Sequence, residues 1–184
     1  MKLTLSSEKI ILIIKIITMA TMVLILLFLV IQKISFAHSL VYDLDFRAKN
    51  KFIQGPYPVG RVELRSESEN IFVDLLHEPI YLEVYSPRKF DKVRVDIRFK
   101  QSNDLQAQIG LKLDYHDWAF FMEELKPIED IEWQNQQIEF ELKDAEYVNN
   151  KIKLIISAPG VGDDDKYLMI DKISFTLFDN ERND

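Results

Sequence analysis

The chain has 184 residues, a net charge of −7 and no cysteine, which excludes disulfides, thiolate zinc sites and cysteine nucleophiles. The first 37 residues carry Lys2, Lys9, Lys15 and Lys33 against Glu8 and stand at +3, so the remainder stands at −10. An acidic folded part is repelled by phosphate backbones, which argues against nucleic acid as a partner.

The run Ile16 to Ile31 holds neither a charge nor a helix breaker, and it extends back to Ile10 with Lys15 as its only interruption. At roughly 1.5 Å per residue a helix of this length crosses a hydrocarbon core about 30 Å thick. The predicted division is a cytoplasmic N-terminus over 1–9, a transmembrane segment over 10–32 and a linker over 33–38. An extracytoplasmic β-sandwich over 39–178 and a polar tail over 179–184 follow. As a signal anchor, the segment keeps Lys2 and Lys9 in the cytoplasm while Lys15 snorkels to the headgroups. A cleaved signal peptide is the competing reading, because Ser35, Phe36 and Ala37 form a small-x-small site before His38, and the protein is then secreted. The apolar run exceeds the roughly 7–15 residues of a signal peptide, which favours the anchor.

From His38 onward the apolar period changes to two, the mark of strands with one face inward. Tyr42, Leu44 and Phe46 alternate with Asp43 and Asp45. Gly55, Pro56, Pro58 and Gly60 predict a loop. Val62 and Leu64 mark a short strand, Ser66 to Asn70 a turn, and Ile71 to Leu76 a strand buried on both sides. Ile80, Leu82 and Val84 oppose Tyr81, Glu83 and Tyr85. Val93, Val95, Ile97 and Phe99 alternate with Arg94, Asp96, Arg98 and Lys100, and this strand reads as a hairpin through Ser102–Asp104 with Ile109, Leu111, Leu113 and Tyr115. Trp118 to Leu125 is ambiguous between strand and short helix, limited by Pro127. Ile138, Phe140 and Leu142 predict a further strand, as do Ile152 and Leu154, and the last runs from about Tyr167 to Phe178. Eight to ten short antiparallel strands separated by turn signals predict an all-β, two-sheet, jelly-roll-like sandwich behind a single N-terminal helix.

The C-terminal stretch KIKLIISAPG, an acidic loop and YLMIDKISFTLF resemble the closing hairpin of galactose-binding-like and carbohydrate-binding jelly rolls. Leu168, Ile170, Asp171, Ile173, Phe175 and Leu177 carry the resemblance. It implies a β-sandwich, a structural calcium and a glycan-binding edge or face, and it transfers no binding residue.

Asp163, Asp164 and Asp165 beside Gly162, with Asp171 further on, are the candidate calcium ligands, since calcium takes six to eight oxygens. A solvated hairpin tip is the plainer reading of three consecutive carboxylates. The inward face changes from even to odd numbers across Asp171, so either a bulge lies there or its carboxylate points inward. The candidate ligand-binding aromatics are Tyr81, Tyr85, Tyr115, Trp118 and Trp133, because a pyranose C–H face complements the negative face of an aromatic ring. Trp118 and Phe120 equally suit a sandwich core. His116 beside Asp117 is the only neighbouring acid–base pair, and no GxSxG, HExxH or P-loop motif occurs, so no catalysis is expected. The sequence therefore predicts a membrane-anchored extracytoplasmic module that binds a glycan at the cell envelope, with the bilayer engaged through 10–32. The alternative is a non-catalytic structural subunit docked on an envelope protein, which the anchor holds at high local concentration.

Overall fold

A 29-residue helix, α1 (Ser7–Ser35), opens the part of the chain that the computed structural model describes: residues 7–35, 39–67, 70–115, 118–126, 132–163 and 165–180. Two units separate, Met1–His38 and Ser39–Asp184. The helix runs through the start of the predicted linker, whose residues Phe36, Ala37 and His38 lie outside the described residues. From Ile10 to Ile31 the helix is long and apolar enough to cross a membrane, and none of these residues is buried. Its two threonines need no outside partner: the Thr18 and Thr21 hydroxyls donate to the carbonyls of Ile14 and Ile17, each at 2.9 Å. Such back-bonding within the turn lets a hydroxyl sit in an apolar surface.

The second unit holds twelve strands among the described residues. These are β1 (Ser39–Leu44), β2 (Ile53–Tyr57), β3 (Val62–Glu67), β4 (Asn70–Leu75), β5 (Ile80–Tyr85) and β6 (Lys92–Gln101). They continue as β7 (Gln108–Lys112), β8 (Phe120–Glu124), β9 (Gln134–Glu141), β10 (Tyr147–Val148), β11 (Lys151–Ser157) and β12 (Leu168–Phe178). One antiparallel sheet runs β3-β4-β12-β6-β9 with β1 also on β12; the other runs β2-β5-β11-β7-β8 with β10 on β11. The all-β, two-sheet sandwich is therefore as predicted. Apolar positions of period two face one another across it: Leu82, Val84, Val95, Phe99, Ile109, Leu154, Phe175 and Leu177 are at most 1% exposed. Burial on this scale, at about 25 cal/mol per Å², is what offsets the entropy of ordering the strands.

Four expectations need correction. First, β6 and β7 are no hairpin, because β6 pairs β12 and β9 in one sheet while β7 pairs β11 and β8 in the other. Their connection crosses between sheets because Leu105 and Ala107 are buried within it, and the Gln101 amide holds it by donating to the carbonyls of Leu105 and Leu125 at 3.2 Å. Second, the C-terminal pair β11 and β12 likewise belongs to two sheets, so it closes the sandwich and not a hairpin. Third, the first part of the Gly-Pro stretch, Gly55 to Tyr57, belongs to strand β2, while Pro58 to Gly60 turn as expected. Pro56 is tolerated because β2 is an edge strand whose pairing with β5 shifts register between Gln54 and Tyr57. Fourth, the tail is not free at its start: Asp179 accepts from the Arg88 guanidinium at 2.6 Å and the Asn180 amide donates to Asp91 at 2.9 Å, whereas 181–184 lie outside the described residues. The ambiguous stretch before Pro127 resolves as strand β8.

At Asp171 the structure chooses the bulge. The register of β12 on β6 shifts between Ile170 and Lys172, which returns both halves of the strand to the same inward face. On the other edge of β12, β4 pairs only Met169 and Ile170, and β1 pairs Ile173 to Phe178.

Asp74 on β4 is a buried carboxylate, 9% exposed at its side chain and 3.2 Å from the Arg65 guanidinium. Burial pushes its pKa above the usual aspartate range, and Arg65 only partly opposes this. The folded state therefore holds that proton more tightly than the unfolded chain. Stability from this group is full below the ordinary pKa of about 3.9 and is lost as pH rises through the higher folded value. The expected result is that the melting-temperature difference between wild type and Asp74→Asn falls across that window; a flat difference would show that Arg65 fully compensates the burial.

Candidate functional site: an aromatic face on the second sheet

The outer faces of the two sheets differ in kind. Along β1, β6, β9 and β12 of the first sheet several outward side chains are polar and paired. Arg94 meets Glu139 at 2.8 Å, Lys92 meets Glu141 at 2.9 Å, Gln137 donates to Asp96 at 2.7 Å, and the Ser174 hydroxyl bonds Asp43.

On the second sheet the alternation of β5 turns Ile80, Leu82 and Val84 inward and Tyr81, Glu83 and Tyr85 outward. Pairing then aligns Tyr81 of β5 with Ile155 of β11, Ile155 with Gly110 of β7, and Gly110 with Met122 of β8. Ile155 is 8% exposed yet lies outside the core cluster, as expected of an apolar residue covered on the outer face. Gly110 is required for that cover, since a Cβ there would stand 2.3 Å from the Met122 sulfur and 3.0 Å from Ile155 Cγ2. Ile155, Gly110 and Met122 thus form an apolar floor.

Aromatic rings flank the floor. The Tyr81 ring lies 6.2 Å from Trp118 and 6.4 Å from Phe120, within the range of favourable offset contacts. Trp118 is 67% exposed and sits at φ 66°, the left-handed region that bulky side chains rarely adopt. The loop around it is pinned on both sides: the Leu113 amide donates to the Ala119 carbonyl and the Asp114 amide to the Asp144 carbonyl, each at 2.9 Å. Strain of order 1–3 kcal/mol held in place by surrounding hydrogen bonds is a property of ligand-contacting residues. Trp118 is not a core residue, and that reading of the sequence falls.

The other aromatic candidates stand elsewhere. Tyr85 is 6.1 Å from Phe52, which stacks on Tyr42 at 5.0 Å, making a second aromatic row at the β2 edge. Burial and then the neighbouring Tyr85 raise the Tyr42 phenol pKa, so the Tyr42 phenol stays a protonated donor at neutral pH. Tyr115 is 51% exposed in the loop before β8. Trp133 belongs to the first sheet, edge-on to Phe72 at 5.5 Å with the Arg98 guanidinium 5.6 Å from its ring centre. His116 and Asp117 lie outside the described residues.

Charged side chains border the floor, and sequence reading overlooked them. Lys112 sits 5.8 Å from the centre of the Trp118 ring and pairs with Glu146 at 2.7 Å. Lys151 bonds Gln54 at 2.6 Å and Glu83 at 3.1 Å. Lys153 is set opposite Glu83 by the β11–β5 register. The strict alternation Lys151, Lys153, Ile155 was the available signal, since it places all three on one face.

The described candidates for the calcium implied by the resemblance lie in different surroundings. Among the described residues no group of three or more His, Asp or Glu side chains converges. Asp163 and Asp165 are exposed, Asp164 is outside the described residues, and Asp171 receives a charged hydrogen bond from Arg98 at 2.8 Å. A guanidinium there supplies the positive charge that a half-buried carboxylate needs. Chelator is accordingly expected to leave the melting temperature unchanged; a drop on chelation, reversed by added calcium, would overturn this.

No protein-family model matches the sequence, and no curated protein matches it. Among solved structures the chain is similar to the CBM22-1 xylan-binding domain of Paenibacillus barcinonensis Xyn10C, with 12% identity over 76% of this chain and 94% of that one, at a TM-score of 0.48. It is similar to CBM29_1, a family 29 carbohydrate-binding module from Piromyces equi, with 10% identity over 79% of this chain and 95% of that one, at a TM-score of 0.48. It is also similar to TmCBM61 in complex with β-1,4-galactotriose, with 15% identity over 78% of this chain and 90% of that one, at a TM-score of 0.41. The β-sandwich is given by its own strand pairing, and carbohydrate-binding modules are among the structures to which the chain is similar.

Proposed function

We propose that this chain is a single-pass membrane protein whose β-sandwich binds a glycan on the outer face of the second sheet. One observation carries the reading. Trp118, 67% exposed at φ 66°, is held 6.2 Å from Tyr81 beside an apolar floor of Ile155, Gly110 and Met122. Exposed rings arranged beside a dry floor and bordered by hydrogen-bonding side chains offer a pyranose both its stacking surface and its polar partners. The helix from Ile10 to Ile31 is long and apolar enough to cross a membrane, which supports an anchored protein, and the lysine distribution supports a cytoplasmic N-terminus. The role is binding, not catalysis, and the bilayer and an envelope glycan are the two partners.

Two measurements test this. Full-length protein in detergent micelles is screened against a panel of envelope polysaccharides, and saturable binding to at least one is expected. No binder across the panel would end the glycan reading. Mass measurement of membrane-extracted protein tests the anchor, and a mature N-terminus at His38 would replace it with a secreted product.

A further inference from the structure

We infer that the sugar bound on this face is anionic and that Lys153 receives its charged group, a carboxylate or a sulfate ester. This rests on the glycan reading above and specifies its ligand. Two of the three lysines bordering the floor are already satisfied: Lys112 by Glu146 at 2.7 Å, and Lys151 by Glu83 at 3.1 Å and Gln54 at 2.6 Å. Lys153 is half-buried, and among the described residues its ammonium makes no ion pair or hydrogen bond. Glu83 is its register partner on β5, but the Glu83 carboxylate is drawn to Lys151.

A cleft of about 100 Å³ opens beside it, lined by Glu83, Glu146, Val148, Asn149 and Lys151. Counting Lys112, Lys151 and Lys153 against Glu83, Glu124 and Glu146, the border of the floor is neutral on a part of the chain that is −10. The Lys153 ammonium makes no ion pair among the described residues and so has a charged hydrogen bond to give an incoming anion. Its distance suits a sugar substituent. Lys153 lies two residues from Ile155 on the same face of β11, about 7 Å at roughly 3.3 Å per residue, so a ring seated on the floor can extend a charged group to it.

The test uses full-length protein in micelles and matched polysaccharides. These are glucuronoxylan and polygalacturonate, the same polymers with carboxyls reduced to hydroxymethyl groups, and a sulfated galactan. Wild type is expected to bind an acidic polymer about tenfold more tightly than its reduced form, the scale of one charged hydrogen bond. Lys153→Gln is expected to bring that ratio to about one, and Lys153→Arg to restore it. Preference for the sulfated galactan over both uronates, lost in Lys153→Gln, supports the inference with sulfate as the charged group. Equal binding of acidic and reduced polymers by wild type would overturn the anionic ligand while leaving the glycan reading standing. Unchanged preference in Lys153→Gln would overturn the role of Lys153. Binding to none of the polymers here or in the wider panel would remove the glycan reading and this inference together.

Discussion

Trp118→Ala is expected to weaken glycan binding about 30-fold while leaving the melting temperature unchanged or slightly higher. The loss follows from removing one face of the platform: a fully used aromatic ring contributes about 2 kcal/mol through area burial and ring geometry, which is roughly 30-fold in affinity. The fold is spared because Trp118 is 67% exposed and touches the sandwich mainly through Tyr81 and Lys112. Trp118→Gly sharpens the test, since glycine accepts φ 66° without penalty and the alanine variant still bears it. The glycine variant should therefore melt higher than the alanine variant and bind equally poorly. Full affinity in either variant would show that Trp118 does not touch the ligand. A melting temperature that collapses would show that the loop is part of the core.

The second large effect is on the fold. Gly55→Ala is expected to destabilise the sandwich by about 3 kcal/mol or more, a drop in melting temperature of about 10 °C for a domain of this size. Gly55 has φ +116°, and a Cβ built there would lie 2.5 Å from the Tyr81 carbonyl oxygen. That neighbour is backbone of β5 and cannot rotate away as a side-chain tip would. Relief requires β2 to lift from β5 or the Tyr81 peptide to shift, and Tyr81 belongs to the platform. Weaker binding should therefore accompany the lower melting temperature. Thermal melting by circular dichroism checks the first and the polysaccharide titration the second. An unshifted melt would mean that the irregular pairing after Gln54 absorbs the methyl group.

Sheet class was legible because most strands have one wet face. The run Val93 to Lys100 declares its inward set by alternation alone, and Ile80 to Tyr85 does the same. Alternation does not say which sheet a strand joins. The turn signal at Ser102–Asp104 therefore looked like a hairpin, although burial of Leu105 and Ala107 sends the chain across the sandwich. The prolines flanking Tyr57 read as a loop because an edge strand and a loop share their tolerance for a missing donor. The even-to-odd change at Asp171 was legible as a choice, and the pairing with β6 resolved it. Of the candidate site, Tyr81 was legible as an outward ring from its alternation and Trp118 was open between surface and core, while their meeting depends on the register Tyr81, Ile155, Gly110, Met122 across four strands. Neither the left-handed backbone at Trp118 nor the unpaired ammonium of Lys153 is encoded in residue type, because each arises from neighbours distant in sequence. Trp133 and Tyr85 show the same limit in reverse, since identical chemistry was carried to other surfaces.

The attachment of β1 determines how a tethered sandwich would bear mechanical load. β1 is hydrogen-bonded to β12 alone, through six residue pairs from Ser39–Phe178 to Leu44–Ile173. In a chain held at its helix and pulled through a bound polymer, tension reaches the sandwich at Ser39, so β1 is the first strand to be stressed. The rest of β12 is secured on its opposite edge along β6, and its first residues also pair with β4. Detaching β1 would lengthen the tether by the extent of a short strand, about 20 Å at roughly 3.3 Å per residue. The pairing of β1 with β12 takes no part in the hydrogen bonding of the second sheet, which carries the aromatic face.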